Sequence, residues 1–512
     1  MSVVIDAETK SPLDHVEDIK SPAEAEGLPD HLAPGSAYRI KVERRLKAKL
    51  DAKMFLLVII YILNYIDRSN AAAARLQGFQ TDLGINDTQF ATVISILFAG
   101  FIFFQVPSNM ILNWIGRPSI YLPACMFLWG LVSTLTGVVN SFSGAVVCRF
   151  WIGFIEAAFS PGVFFLLSKW YTRKELALRL SIFYCGNLIS NAFGSLIAAG
   201  ILANMNGLLG HAAWRWLFFI EGAITMFVAA ISPFILPDFP HNTKRHFTDE
   251  EVKVAQLRML EDAGEIDIDS ADEKWYHGAK LAFTDWKLYI LAVSQTCCIA
   301  GTSFSTYFPS LTKTLGFDNT KTLLMSAPPW VFACIVALAN TWHSDRSNER
   351  YFHMAWPLGL GIIGFIMAIA TEPTNVGARY TSLFFMTSSY AGYILTFSWM
   401  ASSFPRPPAK RAVVISFVNA ISQLGSVGGS YVWPSNYGPS FRRSFIFVAV
   451  MYAVVIILNF TFRMALVREN KKLAAGEVEL ETHRDLAENA ARLENVTISD
   501  ARDLKKRFRY ML

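Results

Sequence analysis

The stretch RFWIGFIEAAFSPGVFFLLSKW, residues 149–170, is apolar over most of its length yet carries Arg149 and, seven residues on, Glu156. An apolar run of about 20 residues is enough to cross a bilayer as a helix. Seven residues make two helical turns, so the two charges share one face, about 10 Å apart along the axis. A charge at bilayer depth costs about 3 kcal/mol even on the mildest insertion scales, so such residues face a water-filled cavity or a partner. The stretch therefore reads as a membrane span with a functional charge pair inside it.

The rest of the chain is built for the same solvent. Of its 512 residues 53% are hydrophobic and only 17% are charged, against about a quarter charged in a soluble domain. Spans are predicted near 54–72, 89–112, 118–139, 145–167, 177–203 and 214–236, then near 286–311, 322–342, 352–371, 379–401, 411–433 and 442–463. They are continuously apolar and do not alternate, which excludes a β-barrel. The fold class is an all-α membrane protein with twelve transmembrane helices in two six-helix pseudo-repeat halves.

Five segments follow from this pattern: a disordered tail 1–53, a first half 54–236, a middle loop 237–285, a second half 286–463 and a tail 464–512. The tail holds Pro12, Pro22, Pro29 and Pro34 and turns basic in YRIKVERRLKAKLDAK. No apolar stretch precedes the first span, so that span serves as its own insertion signal. Loops on one side hold Lys169, Arg173, Lys174, Arg179, Arg346, Arg350, Arg406, Lys410 and Arg411, and the other side is sparser. The positive-inside rule then makes the first side cytoplasmic, with both termini and the middle loop. In that loop, Thr248 and Glu251 of FTDEEVKVAQLRML fit a capping box that opens a short amphipathic helix. The sequon at Asn86 faces outside, close to the second span, and the one at Asn495 faces the cytoplasm.

The net charge of +5 is small for the length and does not point to nucleic acid. Cys125, Cys148, Cys185, Cys297, Cys298 and Cys334 all fall in apolar stretches and read as small buried residues, with no disulfide or zinc framework. The histidines lie at span ends or in tails without metal-ligand spacing. No cofactor, metal or catalytic residue is expected, and the chain does not read as an enzyme.

Charge near bilayer depth concentrates in two places. One is NYIDRSN, with Asp67 beside Arg68; the other is Arg149 with Glu156. Two acids and two bases can form a neutral cluster, the arrangement that makes buried charge tolerable. One reading is that they are interhelical ion pairs that only fix packing. The other is a cavity in which arginines bind an anion through bidentate, charge-assisted hydrogen bonds. A shielded carboxylate near an arginine can then take a proton on one side and release it on the other. That describes proton-coupled carriage of an organic anion. The second half offers uncharged polar groups: Gln295, Thr296, Ser303 and Tyr307, then Tyr390 and Tyr393, then Asn419 and Gln423. The glycines of FVNAISQLGSVGGS suit close helix packing.

Five stretches together resemble a known family. They are NYIDRSN; QVPSN followed by PSIYLP; RFWIGFIEAAFSPGVFFLLSKWYTRKE; WRWLFFIEG followed by ILPDFP; and VNAISQLGSVGGSYVWPS. The chain resembles the major facilitator superfamily over residues 54–463, within it the anion:cation symporter group, and most nearly the fungal allantoate permease branch with its nicotinate transporter-like members. The resemblance implies that Arg68 and Arg149 coordinate the anion, that Asp67 and Glu156 couple protons, and that Tyr65, Asn187 and Asn419 line the binding cavity. It also implies a cytoplasmic gating motif at Asp345, Arg346 and Arg350. The first-half copy, NWIGRPS, departs from the family pattern: Arg117 has no acid beside it.

The expected function is proton-coupled import of a small organic anion, nicotinate or a related carboxylate or ureide, by a plasma-membrane protein working as a monomer. Its partners are the anion, protons and the lipid bilayer, with no nucleic acid. The competing readings are an exporter of a secondary metabolite on the same fold and a non-transporting nutrient sensor.

Overall fold

A computed structural model describes residues 36–243, 246–264, 277–347, 349–372, 374–404 and 408–482. The expected tail up to residue 35, the Asn495 sequon and Arg406 lie outside the described residues. The first helices are α1 Ala37–Arg75, α2 Phe79–Asp82, α3 Asp87–Ile115, α4 Pro118–Thr136, α5 Phe142–Glu156, α6 Phe159–Trp170, α7 Arg173–Asn204 and α8 Ala213–Ile231. Two short helices, α9 Asp249–Gly264 and α10 His277–Phe283, precede α11 Trp286–Thr302, α12 Phe308–Lys313 and α13 Asn319–Ser347. The last are α14 Tyr351–Ala370, α15 Val376–Ser388, α16 Tyr390–Ser403, α17 Pro408–Gly429 and α18 Arg442–Thr482.

Among the described residues, ten stretches are helical, long and apolar enough to cross a membrane, α5 and α6 counting as one. Two further bundle segments complete the twelve. One is α1, whose apolar run contains Asn64, Asp67, Arg68 and Asn70; the other is the pair α15 and α16, separated at Ser389. The outer surface is apolar, with Phe103, Trp114, Phe227, Ile335 and Ile457 all exposed. That inverts the soluble pattern and fits a lipid environment.

The two halves repeat one packing scheme. In the first, α1 packs on α7, α3 on α5 and α4 on α8. In the second, α11 packs on α17, α13 on α15 and α14 on α18, the same pairing by position. Buried tryptophans pack into both halves: Trp129, Trp170 and Trp214 in the first, Trp330, Trp399 and Trp433 in the second. The halves meet where α7 lies along α13 and α3 along α17. Close packing of α11 on α17 depends on small residues, because a Cβ at Gly425 would strike the Thr296 carbonyl.

At the end of the bundle where α1 begins and α18 ends, here the tail face, α1 extends beyond the bundle. The stretch 37–53, expected to be disordered, is instead continuous with the first span. Ser36 caps it by accepting from the Arg39 amide, and Arg39 pairs with Glu43 one turn on at 2.9 Å. The extension then docks on α9 through Val42 against Val254, Lys49 on Glu251 at 2.8 Å and the Tyr38 hydroxyl on Glu250 at 2.8 Å. The helix α9 opens with the expected capping box: the Thr248 amide donates to Glu251 Oε2 at 2.9 Å and the Glu251 amide to Thr248 Oγ1 at 3.3 Å. Glu175, at the start of α7, pairs with Arg258 of α9 and with Lys47 at 3.1 Å. Burial works against the Glu175 charge, but Arg258 and Lys47 outweigh it and hold the carboxyl below the usual glutamate range.

At the opposite or far face the two halves are bonded directly. Asp87, in the first turn of α3, accepts from Arg75 at 2.8 Å, from Gln80 at 2.9 Å, and from the Ser435 amide at 2.7 Å and its hydroxyl. Asn319 donates to the Leu76 carbonyl at 2.9 Å, and Thr92 meets the Tyr431 hydroxyl at 3.0 Å. Asn86 is engaged in its own capping box with Gln89. The far face is closed.

Candidate functional site

The helix carrying Arg149 and Glu156 stops at Glu156, and the sequence shows why. Pro161 has no amide hydrogen, and its ring collides with the carbonyl four residues earlier, that of Ala157. Ala157 and Ala158 keep right-handed helical dihedrals, but the hydrogen-bond ladder is interrupted there before α6 begins, leaving Glu156 at a helix end in mid-bundle. Gly153 sets the depth of α5 against α3, since a Cβ there would lie inside contact distance of the Leu97 carbonyl. Arg149, Ile152, Gly153 and Glu156 are all buried on one face, as the seven-residue spacing requires.

That face meets α1. Arg149 is 1% exposed and Glu156 0%, with Asp67 at 1%. The nearest partner of Glu156 is not Arg149, however: Glu156 Oε2 accepts from Arg68 Nε at 2.6 Å. Helical spacing fixes a shared face but not which neighbour fills the gap, and α1 fills it. Asn64, one turn before Arg68, stands beside the same carboxylate. The Arg68 guanidinium also lies against two rings, 5.1 Å from the centroid of Tyr65 and 5.0 Å from that of Phe101.

Arg149 reaches past its own helix to backbone. Its Nη1 donates to the carbonyls of Asp67 and Arg68, both at 3.3 Å, and the guanidinium lies 5.8 Å from the centre of the Phe218 ring. Its Nε and Nη2 have no hydrogen-bond partner, nor has Arg68 Nη2. Nε and Nη2 form the edge with which a guanidinium grips a carboxylate in a fork. Asp67 is held separately: Ser133 of α4 donates to Oδ1 at 2.9 Å and Thr225 of α8 to Oδ2 at 3.1 Å.

The balanced cluster expected from sequence is not what forms. Glu221 of α8, 3% exposed, is a third acid that faces Asp67 and Arg149. Its signal was legible, an acid in the apolar run WRWLFFIEG, under the same rule that singled out Glu156. Asn64 and Asn70 were also missed; as single amides in a helix they carry no spacing signal.

Tyr65, Asp67, Arg68, Arg149 and Glu156 thus come together within the first half. Asn187 is half-buried on α7, where it accepts from Asn191 at 3.2 Å. Asn419 is half-buried on α17, in the other half. The expected gating residues lie apart, at the tail-face ends of α13 and α14. Arg350 is buried and donates to Ser344 Oγ at 3.1 Å, and Arg346 is exposed, 5.7 Å from the centre of the Trp342 ring. The Asp345 side chain lies outside the described residues.

Between the charged cluster and the closed far face lies a cavity of about 20 Å³ bounded by Ser69, Asn70, Asn191, Ser195, Ser305 and Trp330. Beyond the closure, a vestibule of about 510 Å³ opens at the far face, with Arg75 and Lys313 in its wall.

Comparison with known proteins agrees with this architecture. Residues 57–430 match the Major Facilitator Superfamily. An MFS-type transporter, cnsO, of Penicillium expansum is 33% identical over 451 residues, covering 85% of each chain. A putative tartrate transporter of Agrobacterium vitis is 30% identical, covering 82% of this chain and 94% of its own. Among solved structures, a bacterial homologue of the human lysosomal transporter Spinster aligns with a TM-score of 0.63 at 16% identity, over 81% of this chain and 98% of its own. A D-xylose-proton symporter aligns with a TM-score of 0.58 at 13% identity, over 79% and 96%.

Proposed function

The chain belongs to the Major Facilitator Superfamily and is a secondary transporter rather than an enzyme, and we propose that it imports a small organic anion together with protons. In this reading the anion is nicotinate or a related carboxylate or ureide, the membrane is the plasma membrane, and the tail face is cytoplasmic. The single observation that carries it is the open Nε–Nη2 edge of the buried Arg149, next to the Arg68–Glu156 pair. Guanidinium donors left unmet in a buried site are costly, and an arriving carboxylate meets them with the right geometry. The basic vestibule supports anion entry from the far face. A relative named for tartrate, a small carboxylate, supports the substrate class.

The coupling follows from who holds Glu156. A substrate carboxylate that bridges Arg149 and Arg68 competes with Glu156 for Arg68. Displaced from its cation, Glu156 is a buried charge without a partner, and taking a proton removes that cost. By linkage, protonating Glu156 tightens anion binding by the same factor. Both then travel to the cytoplasmic side, where water reaches the site, the proton leaves, and Glu156 reclaims Arg68 as the anion departs. Tyr65 keeps the Arg68 plane oriented, and Asn187 and Asn419 are assigned to orienting the uncharged part of the substrate.

Uptake of labelled nicotinate, allantoate, pantothenate and tartrate, measured in expressing cells at two external pH values, tests the reading. At least one carboxylate should accumulate, and faster at the lower pH. Uptake confined to neutral compounds, or indifferent to pH, would overturn it.

A further inference from the structure

The buried cluster holds three carboxyls, Asp67, Glu156 and Glu221, against two guanidiniums, Arg68 and Arg149. Were all five ionised, the centre of the bundle would carry a net negative charge, which a low-dielectric interior does not tolerate without a counter-ion. One carboxyl is therefore neutral, and the hydrogen bonds indicate which. Glu156 sits on Arg68 at 2.6 Å, and Asp67 accepts a hydroxyl on each oxygen, from Ser133 and Thr225. Such bonds favour the charged form. Neither oxygen of Glu221 is held by a well-formed hydrogen bond, although Asn70 of α1 is the nearest amide.

The position of Glu221 is built into the helix packing. The next residue, Gly222, is where α8 touches α4: a Cβ there would strike Thr134 and the Gly130 carbonyl. That contact turns Glu221 toward α1 and α5. The charged groups facing it are Asp67 from α1 and Arg149 from α5, and α4 meets its helix with Gly130 and Thr134. Asn70 also lines the small cavity beneath the far-face closure. That cavity has room for about one water, so the Glu221 carboxyl is one amide away from a polar space.

We propose that Glu221 is a proton-binding residue of the transport cycle, carrying the proton of the buried cluster while the far face is closed and so leaving Arg149 open to the anion. The inference rests on the proton-coupled reading above. Ionised, Glu221 would compete with substrate for the unmet donors of Arg149; neutral, it does not. The proton leaves its carboxyl either to Asp67, whose carboxylate then becomes the neutral acid, or to a water that reaches it from the cavity past Asn70, and no other bond changes.

The test needs no substrate. Infrared titration of the full chain in lipid nanodiscs should show, at neutral pH, the carbonyl stretch of a protonated buried carboxyl. Glu221→Gln should remove that band, and Glu156→Gln should keep it. Glu221→Asp, which retains the acid and guards against a fold defect in the amide variant, should shift it. A band that survives Glu221→Gln, or is unmoved in Glu221→Asp, places the proton on Asp67 and overturns the proposal. A wild-type protein that shows the band, loses it in Glu221→Gln, and yet moves no labelled carboxylate supports the proton site while refuting the import reading.

Discussion

Glu156→Gln is the substitution whose outcome the geometry constrains most. Under the proposed function an incoming carboxylate displaces Glu156 from Arg68, a contact of 2.6 Å to a fully buried oxygen acceptor. A charge-assisted hydrogen bond of this kind is worth about 1.5–3 kcal/mol. Glutamine keeps the shape and part of the hydrogen bond but not the charge, so the lower end applies, and about 1.4 kcal/mol is tenfold in affinity. Anion affinity at neutral pH should rise about tenfold and lose the part of its pH dependence that belongs to Glu156. Without anion the variant should be less stable, because removing one partner of a buried pair costs about 3–5 kcal/mol when it strands a charge: with Glu221 neutral, Asp67 alone faces Arg68 and Arg149, and bound anion should restore the stability. The assay is a pair of measurements on proteoliposomes with a labelled carboxylate: counterflow of preloaded substrate, and accumulation under an imposed proton gradient. Counterflow should survive and accumulation should vanish. A Glu156→Gln protein that still concentrates the anion under a proton gradient would refute the reasoning, and coupling would then have to be sought at Asp67 or Glu221.

Arg149→Ala should abolish uptake while the protein still reaches the membrane folded, and Arg149→Lys should also be poor, because an ammonium cannot offer the forked edge; transport at near-normal affinity by the lysine variant contradicts the carboxylate fork. Asp87→Ala removes the acceptor that joins Arg75 to Ser435 across the halves and should shift the population toward a far-face-open state by about 1–2 kcal/mol. A cysteine at Ser69, in a chain without its six native cysteines, should then label about tenfold faster with an impermeant maleimide, and an unchanged rate counts against the closure assigned to Asp87. Glu175 is held below the usual glutamate range by Arg258 and Lys47, so its contribution to docking α9 is present at neutral pH and is lost only as pH falls through that lowered value. Hydrogen exchange of α9 should therefore stay slow until the pH drops below the ordinary glutamate range and should be fast at all pH values in Glu175→Gln.

Apolar length made the bundle legible: each run long enough to span appears as helix, in one piece or two, and Pro161 accounts for the interruption after Glu156. The charges of the site were legible for the same reason, as expensive residues in apolar runs. What the spacing of Arg149 and Glu156 did not contain was the identity of the facing helix, and so the Arg68–Glu156 pair had to come from packing. Glu221 obeyed the rule that found Glu156 but was absorbed into a motif, and the charge balance went with it. The helical extension 37–53 escaped notice because its sequence is that of a basic tail. Its order depends on docking against α9, more than 190 residues away along the chain.

One helix ties these levels together. The 39 residues of α1 run unbroken from the α9 contacts at Tyr38 and Lys49, past Asp67 and Arg68, to Arg75 at the far-face closure. At 1.5 Å per residue that is a rod of about 58 Å. A continuous helix couples its ends, so under the proposed function an event that loosens its grip on α9 should be felt at Arg68 and at Arg75 together. A change made on the tail face, tens of ångströms from Arg68, should therefore alter both the proposed anion affinity and how firmly the other side is shut. Screens for activating substitutions should find them along the 37–53 stretch and its α9 partners as readily as around Arg149.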